Sequence, residues 1–199
     1  MQYVYGFAIV ELNVIADVID SLHQTPKYVE NGYSMIRVTD IKGTYISTQN
    51  SLKVNEETFK IFTKRYKPVY NDIIVSRVGS FGNFSLVPDE EICLGQNIAL
   101  IHSRINAKYL YYFLNSPITK RYIDENAKGG GYKNIGIKEI VKIPVFVPSD
   151  EEQLRIADIL DRFDKLCNDI ENGLPAEIEA RQKQYEFYRD KLLTFTEKK

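Results

Sequence analysis

Cysteine, histidine and long apolar runs are all scarce in this 199-residue chain, and each scarcity removes a class of function. The only cysteines, Cys93 and Cys167, lie far apart and each inside an apolar stretch, so both read as reduced core residues of a cytoplasmic protein. The only histidines, His23 and His102, have no cysteine or paired carboxylate at metal-ligand spacing. Each reads as a packed or surface side chain, and no metal is expected. No run approaches ~18 consecutive apolar residues, so no membrane span is expected. The first six residues, Met1 to Gly6, lack the basic stretch of a signal peptide. The glycines from Gly79 to Gly82 and from Gly129 to Gly131 reproduce neither G-x-x-x-x-G-K-[ST] nor G-x-G-x-x-G. The acids Asp89, Glu90 and Glu91 read as a solvated turn. With no catalytic constellation, the chain is expected not to be an enzyme by itself.

Net charge is also small, but it is unevenly spread. The net charge is −1, yet residues 1–149 carry 17 basic and 14 acidic side chains (+3) and residues 150–199 carry 9 and 13 (−4). The division at Ser149 also marks a change of texture. Before it, short Val-, Ile- and Tyr-rich runs predict strands at Val4–Leu12, Ser34–Val38, Asp72–Val78, Ile98–His102 and Ile143–Val147. Two helices interrupt them. One covers Asn55–Arg65 with Asn55 as N-cap; the other covers Asn106–Asn126 and should split after Ser116, because Pro117 cannot continue it. After Pro148, Ser149 and Glu152 mark a helix start, and Ile156, Ile159, Phe163, Leu166 and Ile170 follow at spacings of 3, 4, 3 and 4. Asn172-Gly173 signals a stop and Pro175 a new first turn. A second seam then runs through Leu174, Ile178, Arg181, Tyr185, Tyr188, Leu192 and Phe195, with Arg181 as its one polar member. Such amphipathic helices need a partner in water. The expected fold is an α+β domain over residues 1–149, a mixed twisted sheet with helices, followed by a helical coiled-coil spacer over 150–199.

Three polar turns suit binding rather than catalysis. The first runs from Ser76 to Asn83 and carries Arg77; the second is Gly95-Gln96-Asn97; the third runs from Lys128 to Asn134 around three glycines. Arg, Gln and Asn can read base edges bidentately, whereas Lys and loop amides suit phosphates. Each loop could equally be an ordinary surface turn.

Several segments resemble the specificity subunits of type I restriction–modification systems. They are Ile19 to Asp40 with His23-Gln24-Thr25-Pro26, the Asp72–Gly82 segment, Tyr109 to Ser116, the Pro144–Ile156 junction with Glu151-Glu152-Gln153, and the Gly173–Leu193 helix with Leu174-Pro175-Ala176-Glu177-Ile178-Glu179-Ala180-Arg181. The resemblance implies a non-catalytic target-recognition domain that reads one part of a split DNA site, with helices that set the gap and dock methyltransferase subunits. Arg77, Gln96 and Asn97 are then candidates for bases, Arg37, Lys128 and Lys133 for phosphates, and Tyr132 for stacking. S-adenosylmethionine and ATP would belong to the methyltransferase and restriction subunits, with no cofactor in this chain. Family members carry two recognition domains, and here there is one. The expectation is a homodimer through Ile178, Arg181, Tyr185, Tyr188, Leu192 and Phe195, with a different half-subunit or a truncated product as alternatives. A coiled-coil assembly protein that does not read DNA is the rival function.

Overall fold

The computed structural model describes residues 6–129, 133–169 and 175–193, without the side chains of 167–169 and 175–178. The calls on Tyr132, Phe195, Ile170 and the Asn172-Gly173 stop therefore lie outside the described residues, as do the side chains of Cys167 and Ile178.

Strand β1 (Phe7–Glu11) leads through the single-turn α1 (Leu12–Ile15) into β2 (Ala16–Asp20). Then come β3 (Tyr33–Ile36), β4 (Leu52–Val54), α2 (Glu56–Thr63), β5 (Ile73–Ser76), β6 (Phe84–Leu86), β7 (Ile92–Leu94) and β8 (Ile98–Ser103). Helices α3 (Ala107–Leu114), α4 (Pro117–Asn126) and the short α5 (Ile137–Ile140) precede β9 (Pro144–Pro148), α6 (Asp150–Asp169) and α7 (Pro175–Leu193). The expected breaks are present: Asn55 accepts from the Thr58 amide at 2.9 Å, Asn106 accepts from the Tyr109 amide at 2.9 Å, and Pro117 opens α4 at its first turn. Four strands went unforeseen, β2, β4, β6 and β7, and the predicted Val4–Leu12 strand gives way to helix at Leu12.

The strands form three sheets. Strands β2, β8, β5 and β6 make an antiparallel sheet in that order, β4, β3 and β7 a smaller one in which β3 and β7 run parallel, and β1 pairs with β9. Alternation along β5 and β8 explains the layering. Ile73, Val75, Ala99 and Ile101 face a core shared with α3 and with Ile156, Ala157 and Leu160 of α6. Ile74, Ile98 and Leu100 face the other way, onto Ile36, Ile92 and Leu94 of the small sheet. That sheet turns Met35 and Cys93 outward onto Phe59 of α2. Strands buried on both faces read as continuous apolar runs, which is the pattern of Ile73-Ile74-Val75 and Ile98-Ala99-Leu100-Ile101. Cys93 is a free, fully buried thiol, and burial pushes its pKa up to about 12.

The two long helices pack on this body. On α6 the inward stripe is Gln153, Ile156, Ala157 and Leu160, spaced as one face of a helix against a globular core, while Leu166 of the expected seam is exposed. On α7, Tyr188 stacks on Phe163 of α6 with ring centroids 5.1 Å apart. Tyr185 and Leu192 pack against the main core, and Leu193 is buried within it. Three seam residues of α7 thus meet elements of their own chain.

Candidate nucleic-acid interface

The topology brings the three polar turns to one end of the molecule. The Gly95-Gln96-Asn97 turn joins β7 to β8, whose first residue, Ile98, pairs with Ser76 at the end of β5. Asp20, at the end of β2, pairs with Ala99, next along β8. The Arg77 amide donates to the Asn97 carbonyl at 2.9 Å, and the Arg77 carbonyl accepts from the Ile135 amide at 2.9 Å. Lys128 and Asn134 exchange two backbone hydrogen bonds at 2.8 and 2.9 Å, closing the third loop beside Val78. The end of β3 joins the group because the Gly95 amide donates to the Ile36 carbonyl at 2.8 Å. A Cβ on Gly95 would sit 2.9 Å from that carbonyl oxygen, so only glycine permits the approach. Asn97 takes φ of +62°, a left-handed turn conformation that asparagine tolerates.

The candidate residues divide by what holds them. Arg77 is largely engaged inside the protein: Nη1 donates to Asp20, Nε donates to the Ile135 carbonyl at 3.3 Å, and the side chain is 17% exposed. Lys128 reaches Glu139 at 2.6 Å, and Lys133 is exposed near the loop's base. Arg37 is 41% exposed and, among the described residues, gives one edge to a partner, with Nε and Nη2 donating to the Asp40 carboxylate at 3.1 and 2.9 Å. That hydrogen bond raises the Arg37 pKa and keeps the group charged. Gln96 is exposed and donates through Nε2 to Thr25 Oγ at 3.1 Å. Arg37 and Gln96 line one open groove of about 300 Å³ together with Gln24, Thr25, Tyr28 and Thr39.

In the sequence, Gln24 and Thr25 stand out only as part of His23-Gln24-Thr25-Pro26, and Tyr28 carries no signal of its own. The histidines lie apart from the groove's lining. His23 is exposed beside Asp20 at 3.2 Å, and His102 Nδ1 lies 2.7 Å from Asp72 and 2.8 Å from the Tyr66 hydroxyl. Among the described residues, no group of His, Cys, Asp and Glu could hold a metal, and no helix is long and apolar enough to cross a membrane.

An α+β body that gathers polar turns at one end and carries two packed helices defines a class, and comparison supplies its family. The type I restriction modification DNA specificity domain matches residues 12–180, and the chain belongs to that family. It is 44% identical over 94 residues to a type I restriction enzyme specificity subunit of Escherichia coli, covering 47% of this chain and 23% of the relative. It is 34% identical over 148 residues to a putative type I restriction enzyme specificity subunit of Haemophilus influenzae, covering 72% of this chain and 37% of that one. Among solved structures, the S subunit of a type I restriction–modification system from M. genitalium superimposes with a TM-score of 0.61 at 18% identity, covering 85% of this chain and 42% of that chain. The HsdS subunit from Thermoanaerobacter tengcongensis does so with 0.61 at 15% identity, covering 97% and 46%. These likenesses support the mixed α+β fold, and the chain spans less than half the length of each of these relatives.

Proposed function

We propose that this chain is a non-catalytic, sequence-specific DNA-binding subunit that reads one half of a bipartite site and directs partner methyltransferase and restriction subunits to it. The observation that carries the reading is the convergence of the three polar turns and the 20–40 segment at one end of the sheets, in a member of a DNA specificity domain family. Residues 1–149 supply the reading surface, and α6 and α7 supply spacing and docking. S-adenosylmethionine and ATP bind the partners, and the complex works in the cytoplasm. Lys128 and Lys133 serve phosphates. Arg77 serves chiefly as the strut between β2, β5 and the third loop.

The test is to map methylated adenines in random-sequence DNA exposed to the chain and its methyltransferase subunit. One recurring bipartite motif is expected. Methylation without a motif, or none at all in the assembled complex, sinks the reading.

Two copies of the chain supply the two halves of an interrupted palindrome. Leu166 and Phe187 are among the exposed apolar side chains that α6 and α7 offer for such pairing. Light scattering on the free chain should give twice the 23.0 kDa monomer mass. Aspartate at both positions should return it to monomer with the fold intact. A wild-type monomer at micromolar concentration would point to a different half-subunit instead.

A further inference from the structure

We propose that Arg37 and Gln96 form a two-residue base reader, Arg37 selecting guanine and Gln96 selecting adenine, with Asp40 as the positioning residue for Arg37. This rests on the DNA-reading function proposed above. The argument begins with the geometry of the guanidinium. Asp40 occupies the edge made by Nε and Nη2, at 3.1 and 2.9 Å, and its Oδ2 also accepts from the Arg37 amide at 2.9 Å. The backbone thus fixes the carboxylate, and the carboxylate fixes the guanidinium plane. The remaining fork, Nη1–H and the second Nη2–H, matches the O6 and N7 acceptors of guanine in the major groove.

Gln96 is prepared in the same manner. Its Nε2 gives one hydrogen to Thr25 Oγ at 3.1 Å. The second Nε2 hydrogen and Oε1 are left to pair with N7 and N6 of adenine. Arg155 holds Glu152 through Nε and Nη2 within one turn of α6, so a clamped fork alone assigns nothing. Arg37 differs because it lines a groove with a second base-reading side chain and with Gln24, Thr25 and Tyr28. It stands just past β3 and Gln96 just past β7, and these parallel neighbours lie about 4.8 Å apart. Side chains leaving neighbouring strands end a few ångströms apart, the scale of the ~3.4 Å rise of one base step, and on that scale the base pairs read by Arg37 and Gln96 fall within two steps of each other.

Selection from a random duplex library, with the chain bound to its methyltransferase subunit, tests this. The wild type should enrich a motif containing a G·C and an A·T pair within two steps. Arg37→Ala should cut the preference at that G·C pair by roughly 5- to 150-fold and leave the other positions unchanged. Arg37→Lys, which keeps the charge but loses the clamped planar fork, should retain only part of that preference. Asp40→Asn should weaken it in part with Arg37 still present, and Gln96→Ala should relax only the A·T pair. Melting temperature establishes that each variant is folded; should Arg37→Ala not fold, Arg37→Lys decides. The proposal is overturned if Arg37→Ala lowers affinity equally on all sequences and reduces the salt slope by about one unit, the mark of a phosphate contact. A wild type that enriches no motif would sink the DNA-reading function itself.

Discussion

Replacing Arg77 with methionine is expected to weaken binding to every DNA sequence alike, by tenfold or more, and to destabilise the fold by about 2–4 kcal/mol. The side chain ties three remote segments together: Asp20 at the end of β2, the end of β5 from which it departs, and Ile135 behind the third loop. Both ionic partners are mostly buried, with exposures of 17% for Arg77 and 28% for Asp20. Removing the cation leaves the Asp20 carboxylate without its guanidinium partner and takes away the side-chain tie from β2 to the loop carrying Lys128 and Lys133, which then keeps only its backbone bonds to the end of β5. Arg77→Lys should recover part of the stability but little of the binding, because an ammonium cannot bridge two acceptors set by a planar fork. Urea unfolding followed by circular dichroism measures the first effect, and a double cycle with Asp20→Asn measures the coupling. Zero coupling would mean the strut contributes nothing. A loss confined to one base position would mean Arg77 reads DNA directly.

Arg77 also shows what the sequence made legible. Its residue type and its place before a glycine-rich loop were visible, but its partner stands 57 residues earlier and looked like any other acid. Runs rich in Val, Ile and Tyr located the longer strands, such as Ile98–Ser103, and the Asn55 cap and the Pro117 break located two helix starts to within a residue. That reading misses β4, β6 and β7 because three residues make neither a run nor a period. It missed β2 because Asp17 and Asp20 interrupt the apolar pattern there. The groove was half legible. Arg37 and Gln96 could be named from their chemistry, but their shared groove depends on a glycine approach between β3 and β7 that no spacing reveals. Asp40 sat in plain view three residues after Arg37, and only the tight turn between them shows that it is the clamp. The α7 seam had the spacing of a helix that needs a partner. Tyr185, Tyr188 and Leu192 find one within their own chain, on α6 and the core, which heptad spacing cannot distinguish from another copy.

Besides its apolar stripe, α6 holds the body through a carboxylate that meets two donors, and Asp161→Ala is expected to cost about 3 kcal/mol. Asp161 accepts from Lys108 Nζ and, at 2.7 Å, from the Tyr112 hydroxyl, both on α3. Tyr112 is 1% exposed, so its hydroxyl has no water to turn to once the acceptor is gone. Burial and the neighbouring carboxylate together raise its pKa far above the ordinary tyrosine value, so it remains a donor throughout the accessible pH range. Lys108 is about one-third exposed and recovers solvent, which keeps the cost at the lower end of the range for a broken buried pair. Tyr112→Phe should cost only about 1 kcal/mol, because Asp161 then keeps Lys108 and no donor is stranded. Hydrogen exchange should locate the damage: protection falls along α6 and α7, while β5 and β8, buried on both faces, stay protected. Uniform loss across the molecule would mean that the helices and sheets open only together. The functional consequence follows from position, since Asp161 is on α6 and none of the reading loops contains it. DNA affinity of the chain alone should change little at temperatures where the variant is folded. Under the proposed docking of methyltransferase subunits on α6 and α7, methylation by the assembled complex should fall sharply, because those subunits would no longer be held at a fixed distance from the DNA.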